Sequence, residues 1–344
     1  MILFDFIKDL KNFISYKIAE KNFTVGFFCE NEFIFNYLEP YIQNKVKKNK
    51  IILISFENIN LNNNNNIELF VFKTNFIREL IFLTLKLKFL YSSTPDLNYT
   101  IFKRSKFSNC KYIYLQHSPV SLNLIYRENA FDFFDAVQVI SNYQFNEMTE
   151  IKKINSLKLK VFKSRYLFVE KQKKNKIEDK KIDVLIAPSW NTQFYKLNCH
   201  QILQKFFLKK NITFRLRPHP MSYLKNEISK EKILDDGFIL DETKYINFLK
   251  YENLISDWSG IFIEYSLITK KKAYLIDTPK KLTNKKYEKY KNKPIEIFLR
   301  DKLGKIYEIE KISKLVEEIT LKKSQNLGDY ENSDFKKMIE EIFY

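Results

Sequence analysis

The sequence predicts an α/β protein built from two doubly wound halves that face a cleft, and three observations predict it. Short apolar runs of strand length alternate with longer amphipathic stretches, the pattern of parallel strands joined by crossover helices. The pattern breaks at Lys171–Lys181, which holds six Lys, two acidic residues and no aromatic one, and then restarts. A chain of 344 residues, at roughly 150 per domain, also carries about two domains. The expected organisation is a first domain at 1–170, a linker at 171–181, a second domain at 182–325 and a C-terminal helix at 326–344.

The elements follow in order. Residues 1–20 carry Leu3, Ile7, Leu10, Ile14 and Ile18, an amphipathic helical spacing. The favoured reading is a helix docked on the first domain. The other is a membrane-surface helix, because Lys8, Lys11, Lys17 and Lys21 border the stripe. Thr24–Cys29 reads as a strand, and Asn31 as the N-cap of a helix reaching Lys47. Ile51–Phe56 and Glu68–Lys73 are further strands, separated by the Asn-rich surface loop Asn62–Asn66. Tyr112–Leu115 and Ala136–Ile140 continue the alternation to about Val161. Beyond the linker come strand Asp183–Ala187, helix Cys199–Lys209 and strand Ile212–Leu216. Short strands Phe238–Leu240 and Asn253–Ile255, helix Ile261–Thr269 and strand Lys272–Ile276 complete the second half.

Composition excludes several classes of function. With 45% hydrophobic residues the chain can bury a full core, so disorder is out. Of 59 basic residues only seven are Arg, so the net charge of +18 is almost all Lys. The abundance of Lys, Asn, Ile, Phe and Tyr is typical of AT-rich coding sequence, which makes a single Arg more informative than a single Lys. The Lys are spread along the whole chain and no RNA-binding aromatic motif occurs, which argues against a nucleic-acid partner. Five glycines form no G-x-G-x-x-G and no P-loop, which removes the usual dinucleotide and ATP cradles. Cys29, Cys110 and Cys199 lie far apart, so neither a disulfide scaffold nor a zinc site is expected, and a reducing compartment fits. Phe76–Tyr91 is too short and too charged to span a bilayer, and the N-terminus lacks the features of a secretory signal. The expected location is the cytoplasm. No cofactor and no metal site are expected.

Three histidines are present, and two follow apolar strands. His117 lies in Leu115-Gln-His-Ser-Pro119, and His219 in Arg217-Pro-His-Pro220; His200, at a helix start, has no such setting. Ends of parallel strands are where doubly wound folds bind ligands, so His117 and His219, one per half, are expected at the cleft. Arg215 and Arg217 alternate on a strand, so only one can reach that edge, and Arg217 is nearer its end. An Arg and a His on a Pro-stiffened loop suit a phosphate or pyrophosphate. In Ile255-Ser-Asp-Trp-Ser-Gly-Ile261, the residues Ser256, Asp257 and Ser259 are N-cap types before an apolar helix, and Gly260 allows close backbone approach. A helix start of this kind can bind an anion, although simple capping is its commoner meaning.

Ala187-Pro-Ser-Trp190 with its Ser189, then Arg217-Pro-His-Pro220, then Ser256-Asp-Trp-Ser-Gly-Ile-Phe-Ile-Glu-Tyr265, in this order, resemble the CDP-glycerol glycerophosphotransferase family of teichoic-acid primases and polymerases. Leu115-Gln-His-Ser-Pro119, Tyr126-Arg-Glu and Phe131-Asp-Phe-Phe-Asp135 extend the resemblance, which is dense over roughly residues 110–280. Ser118 stands where the family usually has Gly, Gly260 where it often has Ser, and Glu264 where it often has Asp. The resemblance implies Rossmann-like halves of the glycosyltransferase-B type, with an acceptor-side first half and a CDP-donor-binding second half. It implies transfer of glycerol phosphate, or a related polyol phosphate, from a CDP-polyol donor to a glycan or lipid-linked acceptor, as in teichoic-acid or capsule biosynthesis. It also implies a peripheral habit on an anionic membrane surface, at the inner face of the cell membrane. His117 is the implied base, with His219 beside it in catalysis. Ser189, Arg217, Ser256, Asp257, Ser259, Gly260 and Glu264 are the implied donor-binding residues. The alternative is a glycosyltransferase of the same fold that uses a CMP- or UDP-activated sugar.

Overall fold

The computed structural model describes residues 2–61, 64–174, 181–321 and 334–343. They form two compact units, the first of residues 1–118 and 126–168, the second of residues 119–125 and 169–344.

The first unit runs α1 (Ile2–Ala19), β1 (Val25–Cys29), α2 (Glu32–Val46), β2 (Ile51–Ser55), β3 (Ile67–Val71) and α3 (Asn75–Leu83). It continues with β4 (Phe89–Ser92), β5 (Lys111–Leu115), β6 (Ala136–Val139), α4 (Asn142–Ile154) and β7 (Lys160–Lys163), and α5 (Leu167–Gln172) leads out of it. Its seven-stranded sheet has the order β3-β2-β1-β4-β5-β6-β7, with every pair parallel. The central strands β1 and β2 are buried at every position, as strands covered on both faces must be. Gly26 sits where a Cβ would lie 2.4 Å from the Leu87 side chain, so a larger residue there would make that side chain shift. Asn31 caps α2 as expected, its side chain accepting from Ile34 N at 3.0 Å.

The helix α1 docks on the first unit, as favoured from sequence, but through its polar side. The helix forms, yet Leu3, Phe4, Ile7, Leu10, Ile14 and Ile18 are 42–74% exposed. The face turned inward is Asp9, Asn12, Tyr16 and Glu20, which share the opposite side of the helix by their spacing of three and four. Asp9 Oδ2 accepts from the backbone N–H groups of Lys73 and Thr74 and from Thr74 Oγ1 at the start of α3. Asn12 donates to Val71 O, and Glu20 accepts from Tyr16 OH and from Lys86 N. Polar side chains thus satisfy backbone groups of β3 and α3 that would otherwise be unpaired, and the apolar stripe is left outside.

The second unit runs β8 (Ile182–Ile186), α6 (Cys199–Lys209), β9 (Phe214–Leu216), α7 (Pro220–Leu224), α8 (Lys230–Asp235) and β10 (Tyr251–Ser256). Then come α9 (Ile261–Thr269), β11 (Ala273–Ile276), α10 (Ile295–Leu303), β12 (Gly304–Tyr307), α11 (Ile312–Thr320) and α12 (Asp334–Phe343). Its five-stranded sheet has the order β12-β11-β10-β8-β9 and is parallel throughout. The strand order reverses between β8 and β10, which makes their carboxyl ends the switch point where such sheets open a crevice.

Four sequence expectations change. Residues 119–125 pack with the second unit, not with the rest of 1–170, because Ser121 N donates to Glu296 Oε1 and Leu124 O accepts from Thr283 and Asn284 N. Phe238–Leu240 makes a single bridge, Leu216 to Leu240, in place of a strand. Three strands, β4, β7 and β12, were not expected. Within Lys171–Lys181, α5 extends to Gln172 and residues 175–180 lie outside the described residues, as do 62–63 of the Asn-rich loop. Of the expected helix at 326–344, α12 is described and 326–333 and 344 lie outside. Among the described residues no helix is long and apolar enough to cross a membrane.

Candidate active site

In the first unit, His117 stands two residues beyond β5, on a loop held by side chains from three directions. Gln116 is buried, accepts from the hydroxyls of Tyr114 and Tyr126, and donates to Ser118 O at 2.7 Å. Gln144 of α4 donates to the same Ser118 carbonyl at 3.1 Å, and Tyr166 OH donates to His117 O at 3.1 Å. The imidazole meets the Tyr37 ring edge-on at 5.7 Å between centroids. Its Nδ1 is buried with no hydrogen-bond partner among the described residues. Burial pulls the imidazole down to about 4, so it is neutral at pH 7 and carries an unused lone pair. A neutral histidine on a braced loop is chemically able to take a proton.

In the second unit, the segments expected to bind a donor stand at the carboxyl ends of neighbouring strands. Ala187–Trp190 follows β8, Arg217–His219 follows β9, and Asp257–Gly260 follows β10. His219 caps α7, and its Nδ1 accepts from Met221 N at 3.1 Å, which leaves the neutral ring protonated at Nε2. Its ring lies 6.4 Å from that of Trp190. Arg217 uses Nη1 for all its described bonds, to Thr243 O at 2.8 Å and to the Asp241 carbonyl and carboxylate at 3.2 and 3.4 Å.

Several expected ligand contacts are internal braces instead. Ser256 is fully buried and donates to Ala187 O at 2.7 Å, which ties the end of β10 to that of β8. Asp257 is also fully buried and accepts from Ser189 N at 2.7 Å and from Thr192 Oγ1 at 2.5 Å. Its carboxylate therefore shapes the loop after β8. Burial raises the Asp257 carboxyl above the usual range, opposed by hydrogen bonds from Thr192 and Ser189 and by the charge of Arg300. Ser259 Oγ accepts from Ile261 N at 3.4 Å, but the N-cap of α9 is Gly260, so Ser259 stands one residue before the cap. Gly260 has φ −61°, a conformation open to any residue, so its backbone angle does not demand glycine. Glu264 is buried in the first turn of α9, where a carboxylate complements the helix dipole.

Sequence reasoning missed three residues here. Arg300 of α10 donates to Asp257 O, Ile276 O and Asp277 Oδ1, and its guanidinium lies 4.0 Å from the Trp258 ring centroid. Its rarity as an Arg was the available signal. Lys281 and Glu296 are both buried, and nothing in their sequence setting distinguishes them from solvated charges. Lys281 Nζ lies 4.4 Å from the Trp190 ring centroid. Glu296 Oε1 accepts from Ser121 N at 2.9 Å, while its buried Oε2 has no hydrogen-bond partner among the described residues. Burial pushes the Glu296 carboxyl up to about 7 and the Lys281 ammonium down to about 8. His200, given no role from sequence, is a core residue packed between Tyr195 and Phe238.

No family model and no curated protein matches the sequence. Solved structures do match. A structure of the wall teichoic acid polymerase TagF covers 94% of this chain and 89% of its own, at 15% identity and a TM-score of 0.55. A histidine-to-asparagine variant of TagF soaked with CDPG covers 93% and 89%, at 14% identity and 0.53. A histidine-to-alanine variant covers 98% and 96%, at 12% identity and 0.51. Together with the two parallel sheets, this likeness gives the chain the two-domain, Rossmann-like glycosyltransferase-B fold.

Proposed function

We propose that the protein is a transferase that moves glycerol phosphate, or a related polyol phosphate, from a CDP-linked donor to a hydroxyl of a glycan or lipid-linked acceptor, with release of CMP. One observation carries the reading. The motif residues that resemble the glycerophosphotransferase family stand at adjacent strand ends of a fold shared along 93% of the chain with a polymerase whose structure was soaked with CDPG.

In the proposed reaction the acceptor oxygen attacks the β-phosphorus of the donor. The new P–O bond forms as the bond to the bridging pyrophosphate oxygen breaks, and CMP departs with that electron pair. The His117 imidazole takes the acceptor proton, which its neutral state permits at pH 7. His219 offers Nε2–H to a phosphate oxygen, because Met221 N occupies Nδ1. Arg217 adds positive charge at the end of β9, and Ser259 and Gly260 place the start of α9 beneath the anion. Ser189, Ser256, Asp257 and Glu264 shape this surface from within and make no direct contact with the phosphates.

The reading extends to location. The exposed stripe of α1, flanked by Lys8, Lys11 and Lys21, suits an anionic membrane surface, which would bring a lipid-linked acceptor to the enzyme. The test of the donor class is incubation of the protein with a panel of CDP-polyols and nucleotide sugars, with the released nucleotide identified by chromatography. CMP from a CDP-polyol is the expected product, and UDP from a UDP-sugar favours the glycosyltransferase alternative.

A further inference from the structure

Outside the motifs, the second unit holds one more group at its strand ends. Lys281 follows β11, so four consecutive positions across the sheet, after β9, β8, β10 and β11, contribute to one neighbourhood. The Trp190 ring links it together, with His219 at 6.4 Å between ring centroids and the Lys281 ammonium at 4.4 Å. Lys281 is 8% exposed, and among the described residues it has no hydrogen-bond or ion-pair partner. An ammonium that keeps only slight contact with water and has no acceptor is costly, and a protein keeps one where something else supplies the acceptor. The other buried cation nearby, Arg300, is already committed to three acceptors.

We propose that Lys281 is a phosphate ligand for the donor, an ammonium held against Trp190 and completed by a pyrophosphate oxygen when the donor binds. The inference rests on the donor reading above and adds a residue that the motifs do not contain. The charges that face Lys281 come from three elements: Glu296 at the start of α10, Asp257 after β10 and Glu227 after α7. They hold the ammonium by longer-range attraction without bonding it, so it is free to turn to a ligand. Glu296 is fixed in turn by Ser121 N, and among the described residues its Oε2 has no hydrogen-bond partner. In the unliganded protein burial holds Lys281 down to about 8. A bound pyrophosphate favours the charged form, so binding takes up a proton at pH 8–9.

The experiment is titration calorimetry of the full chain with CDP and with cytidine at pH 8.5, in two buffers of different ionisation enthalpy. Wild type is compared with Lys281→Met, a swap of buried charge for apolar volume that folded proteins usually tolerate. The expected result is CDP binding weakened about 30-fold or more in the variant, with cytidine binding unchanged and proton uptake reduced. CDP affinity and proton uptake equal to wild type overturn the assignment of Lys281 and leave the donor reading standing. Wild type that binds neither CDP nor cytidine overturns both. Should the variant not fold, the pH dependence of CDP binding to wild type decides. Binding that weakens from pH 7 to 9.5 supports Lys281, since a phosphate titrates near 6 and is silent in that range. A flat profile overturns it.

Discussion

Arg300 donates from Nη1 to the carbonyl oxygen of Asp257 at 2.5 Å while its guanidinium covers the Trp258 ring. The rarest basic residue of the chain is thereby spent on the loop after β10. That loop carries the Asp257 carboxylate that holds Ser189 and Thr192. Through these bonds α10, β10 and the end of β8 form one braced surface.

Arg300→Met should therefore destabilise the protein by about 3 kcal/mol, because it leaves the buried carbonyl of Asp257 without a donor and takes one of two donors from that of Ile276. Arg300→Lys should recover little of this, since one ammonium cannot copy the guanidinium fork. Urea unfolding measures both. A loss below about 0.5 kcal/mol for Arg300→Met would show that the brace contributes nothing.

Glu296 gives a pH signature. Its folded value of about 7 lies above the ordinary 4.5, so the folded state binds this proton more tightly than the unfolded chain. The associated stability is present below pH 4.5 and is lost as pH rises to about 7. Over that window wild type should lose roughly 2–4 kcal/mol relative to Glu296→Gln, whose amide oxygen still accepts from Ser121 N. Urea unfolding of both proteins at pH 4.5 and 8 tests it, and parallel stabilities at the two pH values contradict it.

His117→Ala should cut turnover by roughly 10²–10⁴-fold with little change in donor affinity. Because the neutral imidazole is the active form and its value is held to about 4, kcat/KM should fall only as pH drops through about 4. Near-wild-type turnover in the variant removes His117 from the mechanism, and an acid limb near 6.5 shows that its pocket is solvated in the working enzyme.

Much of this fold was legible in the sequence, and the misses have physical causes. β1 and β2 are runs buried at every position, and β5 and β8 carry such runs at Tyr112–Leu115 and Val184–Ile186, which the eye finds at once. β4 was merged with the apolar stretch of α3 because only Thr84–Lys88 separates Leu83 from Phe89. β7 and β12 are edge strands, half exposed and Lys-bearing, and read as loop. The positions of His117, Arg217, His219 and Asp257 at strand ends were legible because each follows an apolar run. Their bonding was not. Nothing local says that Ser256 turns to Ala187 O, or that Lys281 and Glu296, fifteen residues apart, are both buried, since packing between distant segments decides it.

The helix α1 offers a test of location. Replacing Ile7 and Ile14 by Gln should leave the fold intact, because the docking contacts come from Asp9, Asn12, Tyr16 and Glu20. Flotation with anionic vesicles should show wild type bound and the double variant largely released, with added salt weakening the remainder. Equal flotation of the two proteins contradicts a membrane role for the stripe.

The central claim is that phosphorus travels with the polyol. It is tested most directly with CDP-glycerol labelled at the β-phosphorus, followed into the products of a reaction with a hydroxyl acceptor. The account predicts label in the acceptor product and unlabelled CMP in solution. Label retained in released CDP, with the polyol moved alone, would contradict it.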